Sequence, residues 1–157
     1  MVELKITDDS AWAMLQAFDL WGDDFQASLH LGEDFAAWRA VTPADIVEAL
    51  AVSSVTGDIA NGGVEQCFWN SFGTAAPEAL VVLRKLELND YADLLEKAIA
   101  RFGPNFPRDR ERRMSLLDSG EVELLDIDEV IVPLIISSND EYDRKINGFV
   151  AEVLVRN

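Results

Sequence analysis

An all-α fold in a single compact multi-helix domain is what this sequence predicts, and three observations carry the prediction. Apolar residues recur mostly at helical spacing, with little of the alternation that marks half-buried strands. Helix punctuation recurs between them: Thr42-Pro43 as a start, Asn61-Gly62-Gly63 as a break and Gly103-Pro104 as a stop. The chain of 157 residues has the size of one domain with enough length to bury a core, and no internal repeat, low-complexity stretch or Gly/Ser/Pro linker divides it.

Taken in order, Asp9 and Ser10 offer a cap for a first helix, along which Trp12, Leu15, Phe18 and Trp21 recur at three-residue steps until Gly22. Short elements around 25–31 and 35–41 follow. Thr42 is read as the cap of the next helix, with Pro43 in its first turn and Asp45 at the third position. Its buried stripe is Ile46, Val47, Leu50, Ala51 and Ser54, and it should end near Ala60, before the Asn-Gly-Gly breaker. Val64 to Ser71 reads as one short apolar helix closed by Gly73. A helix from Thr74-Pro77 with Leu80, Val81, Leu83 and Leu86 on one face comes next. Asn89 or Asp90 caps another, with Leu94, Leu95, Ala98, Ile99 and Phe102 inward, and 110–117 is helical. Val130 to Ile136 is rich in β-branched residues and contains Pro133, but a lone strand would leave its backbone unpaired, so it is read as helix. A separate last helix starts at Asn139 or Asp140, with Ile146, Phe149, Val150 and Val153 on one side.

Charge narrows the function classes. Thirteen Lys+Arg against 29 Asp+Glu give a net charge of −16, while an apolar content of 49% argues against a disordered acidic tail. Residues 1–83 carry 13 acids and 2 bases (−11), residues 84–113 carry 6 and 8 (+2), and residues 114–157 carry 10 and 3 (−7). Such a surface repels phosphate backbones and anionic lipid, so neither direct nucleic-acid binding nor membrane binding is expected; the partner it attracts is a basic protein. The basic middle, Arg108, Arg110, Arg112 and Arg113 interleaved with Asp109 and Glu111, reads as a solvated or salt-bridged face. The candidate partner-binding acids are Asp8, Asp9, Asp19, Asp23, Asp24, Glu33 and Asp34 near the start, with Glu121, Glu123, Asp126, Asp128 and Glu129. Duplex DNA carries one charge per ~1.7 Å of axis, so 16 charges correspond to about 27 Å of duplex. A domain of this length has a radius of gyration of about 15 Å, so a comparable charge is available over one domain's width.

One Cys and one His leave little room for thiol or metal chemistry. Cys67 has no partner for an internal disulfide, and His30 alone cannot build a His-based metal site. A Cys67–His30 nucleophilic pair is weighed against an inert buried thiol, and the apolar setting of Cys67 favours the latter. Asp126, Asp128 and Glu129 look like a fragment of a calcium loop but lack its glycine and terminal glutamate. No P-loop, dinucleotide fingerprint or zincin motif is present, so no metal and no cofactor is expected. No signal-peptide pattern and no apolar run near ~18 residues occurs, and the cytoplasm is the expected compartment. Trp12, Trp21, Trp38 and Trp69 are expected in the core.

The most specific string is Asn61-Gly62-Gly63-Val64-Glu65-Gln66-Cys67-Phe68-Trp69-Asn70-Ser71, followed by Ala76-Pro77-Glu78-Ala79-Leu80. Read physically, Gly62 and Gly63 permit a close turn with positive φ, Phe68, Trp69 and Phe72 fill a core, and Glu65, Gln66 and Asn70 cap or hydrogen-bond across the turn. The alternative is a pocket with Glu65 as general base and Asn70 or Gln66 as donor. The string resembles the signature of the bacterial DNA-mimic protein family, in the positions Asn61, Gly62, Gly63, Glu65, Gln66, Phe68, Asn70 and Ser71. The resemblance continues through 94–99, Phe102-Gly103 and 125–129, covering residues 42–155 and leaving 1–41 as a helical extension packed on that domain. Cys67 and Trp69 stand where Phe is more usual. The resemblance implies an all-α fold, a homodimer and, in one branch, an acidic surface that occupies the DNA-binding face of a transcription factor. The resulting expectation is a non-enzymatic, dimeric, acidic module that binds a basic DNA-binding regulator and competes with DNA. An immunity or antitoxin-like partner, and an enzyme with a pocket around Glu65, are the alternatives.

Overall fold

The computed structural model describes residues 11–157. Among these the elements are α1 (Ala11–Ala27), α2 (Gly32–Val41), α3 (Ala44–Trp69), a 3-10 turn (Ser71–Ala75), α4 (Ala76–Lys85), α5 (Asn89–Ala100), α6 (Arg110–Asp118) and α7 (Leu125–Arg156), with no strand. The cap expected at Asp9-Ser10 lies outside the described residues.

Helix α3 is the axis of the molecule. Ile46 through Thr56 is buried on nearly every side except for the half-buried Glu48, as expected of a helix surrounded by others rather than lying on a surface. It packs against α1, α4, α6, the 3-10 turn and α7, while α5 bridges α4 and α7. Buried Ser54 and Thr56 return their hydroxyls to the carbonyls of Leu50 (2.8 Å) and Val52 (2.6 Å), which lets two polar residues sit inside without unpaired groups.

The chain departs from the sequence expectations at four helix boundaries. First, α1 does not stop at Gly22 but continues to Ala27; Gly22 is buried, and a Cβ there would lie 2.8 Å from the Phe18 ring. The buried stripe of α1 is Ala13, Ala17 and Phe25, whereas Trp12 and Leu15 are 53% and 62% exposed. Three-residue steps drift around a helix by about 60° each, so Trp12 and Trp21 fall on opposite sides. Second, Thr42 does not cap α3. Its hydroxyl donates back to Trp38 O (2.7 Å) and closes α2, while Pro43 takes the N-cap position of α3. Third, the Asn-Gly-Gly break falls on Gly63 alone, because helical geometry persists through Gly62. Fourth, Asn139 and Asp140 start no new helix. Ile127, Ile131, Ile135, Tyr142, Ile146, Val150 and Val153 form one continuous buried stripe, and Pro133, Asn139 and Asp140 sit on the exposed side of a single helix. Of the tryptophans, Trp21 and Trp38 pack against the core, and Trp12 and Trp69 are exposed.

The basic middle of the chain, expected as a solvated or salt-bridged face, is salt-bridged at Arg108 and buried at Arg113. Arg113 is 0% exposed, and its guanidinium donates to Phe68 O (3.0 Å), Pro107 O (3.0 Å), Arg108 O (2.8 Å), Asn70 O (3.1 Å) and Thr74 Oγ1 (3.1 Å). It lies 5.8 Å from the Phe106 ring. Burial lowers its pKa to about 10, which leaves it charged at neutral pH. Arg110 Nε adds a bond to Trp69 O (3.0 Å). Arg108 instead grips Glu78 through both carboxylate oxygens (2.5 and 2.9 Å), and Arg39 reaches the same carboxylate at 3.1 Å. Both cations face the ring of buried Phe35, at 5.5 and 5.6 Å. Only Arg112 of the four arginines after Pro107 is fully exposed. Replacing Arg113 by Met should therefore cost about 3 kcal/mol or more in urea unfolding, since several buried carbonyls lose their donor at once. A cost below about 1 kcal/mol would show that water takes over those carbonyls.

Candidate functional site

The motif string occupies the last third of α3 and the turn after it. At Gly63 the backbone has φ 87° and ψ 178°, a conformation in which a side chain is strained, and it separates two helical stretches that share one axis element. The break exposes the first amides of the second stretch. Asp128, one turn into α7, supplies their acceptors: Val64 N–H donates to Oδ1 (2.6 Å) and Glu65 N–H to Oδ2 (3.3 Å). A carboxylate thus caps a helix from another element, where both hydrogen bonding and the helix dipole favour it. A Cβ on Gly63 would come within 2.6 Å of that carboxylate.

Behind the break, a second carboxylate is held by the motif amides. Gln66 Nε2 donates to Asp58 Oδ1 (3.3 Å), and Asn70 Nδ2 lies 3.2 Å from both Asp58 oxygens. Cys67, between them, is fully buried. Desolvation pushes its thiol well above the ordinary range, and the charge of Asp58 pushes it further. His30 is exposed, so the two do not share an environment. Phe68 is buried against Phe102 and Phe106, with ring centroids at 5.2 and 5.6 Å. Gly73 lets the 3-10 turn approach α3: a Cβ there would lie 2.6 Å from Cys67 O. Asn61 and Glu65 are exposed, and Ser71 is half-buried at the start of the 3-10 turn.

The structure distributes the candidate acids unequally. Asp8 and Asp9 lie outside the described residues. Asp19, Asp23 and Asp24 on α1, Glu33 and Asp34 in the first turn of α2, and Glu121, Glu123 and Glu129 around the start of α7 are exposed. None of these makes an ion pair among the described residues. Asp126 and Asp128 are different. Asp126 is bound in fork geometry by Arg101 (3.0 and 2.7 Å), which lowers its pKa, and Asp128 is the cap just described. Sequence reasoning did not single out Glu78, Asp58 or Arg113 as individually committed groups. Glu78 in a helix first turn and an arginine three residues into α6 were visible, but their partners come from 30 to 45 residues away.

Fold and site together define an acidic all-α protein in which a kinked central helix is held by buried charges while other carboxylates face solvent. The model of the DMP19-like protein family matches residues 39–152, and the chain belongs to this family of DNA mimic protein 19-like proteins. The match covers α3 to most of α7 and leaves α1 outside. No curated protein and no solved structure matches the chain. No described helix is long and apolar enough to cross a membrane, and no group of His, Cys, Asp or Glu among the described residues is arranged to hold a metal ion.

Two outcomes test this geometry. Gly63→Ala should destabilise by about 2 kcal/mol and Asp128→Ala by about 1 kcal/mol, and the double variant should lose less than the sum because removing Asp128 also removes the collision. Strict additivity in chemical denaturation would separate the two residues energetically. Cys67 should resist a thiol-reactive dye at pH 8 in the folded protein and react fully in urea.

Proposed function

We propose that this protein is a non-enzymatic acidic binding module that occupies the basic DNA-binding face of a regulator protein and so competes with DNA. The observation that carries the reading is the division of carboxylates just described. Those on α1, on α2 and around the start of α7 are exposed and make no ion pair among the described residues, so their field is available to a partner, and the family matched is one of DNA mimics. Asp19, Asp23, Asp24, Glu33, Asp34, Glu121, Glu123 and Glu129 are the contacts this reading favours, with Asp8 and Asp9 joining them. A homodimer would present two such surfaces and double the charge offered to a partner in the cytoplasm. The motif residues Gly63, Gln66, Phe68 and Asn70 act through the scaffold, by holding the kink and Asp58. Glu65 is exposed and Asn70 is committed to Asp58, which gives the alternative of a pocket around Glu65 no supporting geometry.

The test is capture of basic proteins from lysate at low salt. DNA-binding proteins should be enriched and should be released as salt rises from about 50 to about 200 mM. Reversing Asp23 and Asp24 to Lys should weaken binding on the order of tenfold, mostly through slower association. Asp126 is a poor site for this test because Arg101 already neutralises it. Recovery of no basic protein at low salt would overturn the reading, and recovery of a toxin would redirect it to an immunity role.

A further inference from the structure

Asp58 is a half-buried carboxylate without a cation among the described residues, as are Asp128, which caps the second stretch of α3, and Asp143. Glu78 has two arginines, Glu48 has Lys85 and Asp45 has Arg156, but Asp58 makes no ion pair among the described residues. Its side-chain partners among the described residues are the neutral amides of Gln66 and Asn70. These fix the orientation of the carboxylate without cancelling its charge. An ionised carboxylate offers about four acceptor positions, and the amides leave Oδ2 the less occupied oxygen.

This carboxylate lines a groove open to solvent between α1, α3 and the 3-10 turn. Phe18 and Phe72, in edge-to-face contact with centroids 6.4 Å apart, form one aromatic side of it, and Ser53, Gly57 and Asn61 complete the lining that matters here. Ser53 is 1% exposed, and its hydroxyl has no hydrogen-bond partner among the described residues. A buried hydroxyl is ordinarily paired, so this one marks an unmet polar demand at the groove. At Gly57 a Cβ would meet nothing within 4 Å, which leaves the groove unfilled at that point.

We infer that this groove receives an arginine side chain of a basic protein partner. Aromatic rings attract a guanidinium across their faces, a fixed carboxylate takes its N–H groups, and the free Ser53 oxygen is one further acceptor. Arginine fits better than lysine because its flat, weakly hydrated head can lie on an aromatic face and still meet the carboxylate. The inference rests on the proposed binding of basic proteins and adds to it an anchor whose carboxylate is held by Gln66 and Asn70.

The experiment is an NMR titration of the full chain at low salt with three probes: tetra-arginine, tetra-lysine and the uncharged tetra-citrulline peptide. Tetra-arginine should bind several-fold more tightly than tetra-lysine, with the largest amide shifts at Gly57, Asn61 and Phe72, and tetra-citrulline should not bind. Asp58→Asn should weaken tetra-arginine binding about tenfold. Because that change also disturbs the Gln66 and Asn70 bonds, Asn61→Arg serves as the second variant. It places a tethered guanidinium at an exposed groove position and should block tetra-arginine, whereas Ser115→Arg, the same charge change on an exposed face of α6, should weaken it less than about twofold. Equal binding of the arginine and lysine peptides, with shifts spread over Asp23, Asp24 and Glu33, would overturn the groove and leave the acidic-surface reading standing. Failure of every cationic probe to bind at low salt would remove both.

Discussion

The C-terminal end of the central helix is the constraint on which the other elements depend. A helix leaves its last carbonyls without internal donors, and at the end of α3 the carbonyl of Phe68 is in the interior, where water cannot serve it. Arg113 meets this demand from α6 by reaching Phe68 O and Asn70 O, and with the same head it takes the carbonyls of Pro107 and Arg108 in the loop before α6. A cation suits the place because the helix dipole presents negative charge there, so its desolvation is offset by carbonyls and not by a carboxylate. Thr74 extends the network. Its hydroxyl accepts from Arg113 and lies 2.7 Å from Leu29 O and 3.0 Å from Arg108 O, tying the end of the α1 region to the same point. Asp109 then accepts the Gly32 amide at 2.6 Å and fixes the start of α2. Three segments distant in sequence, 29–32, 68–74 and 107–113, are thereby registered around one guanidinium.

The kink at Gly63 poses the complementary problem, orphan amides instead of orphan carbonyls, and the answer is an anion. Asp128 comes from α7, so the long last helix is fastened to the last third of α3 at the place where α3 changes direction. Two buried or half-buried charges of opposite sign thus hold the two ends of one six-residue helical stretch, Val64 to Trp69. Salt bridges on the outside, such as Arg84 with Asp93 and Glu96, contribute less because solvent screens them. Added salt should therefore weaken surface interactions well before it weakens the fold.

Much of this was legible in the sequence, for reasons that differ between elements. The stripe of α3 and the start of α6 follow from local spacing, and the glycine pair at 62–63 announced the break. What the sequence could not place were decisions made by distant partners. Thr42 has the chemistry to cap the helix after it and instead closes the one before, because Trp38 O lies within its reach. Asn139-Asp140 reads as a helix start, yet the buried stripe from Ile127 to Val153 runs through it unbroken and packing overrides the local signal. Arg113 belonged to a run that looks like solvated surface, since nothing in RERR tells which of its arginines meets the end of α3. The same limit applied to the acids: Asp126, Asp128 and Glu129 are near neighbours in sequence, and only the fold assigns one to Arg101, one to Val64 and one to solvent.

That assignment explains how an acidic protein keeps both its charge and its fold. Carboxylates that carry structure face a cation or a helix amide, and their charge is spent internally. Those on α1, on α2 and around the start of α7 stay unpaired among the described residues, and their mutual repulsion is tolerable because they sit in water, where screening limits its cost. Asp58 belongs to neither group. It is oriented like a structural carboxylate but uncompensated like a surface one, and the residues that orient it are the neutral amides of the motif. A motif without net basic character thus has a physical connection to an electrostatic function: it can keep one negative charge fixed in direction where a flexible surface carboxylate would be free to turn.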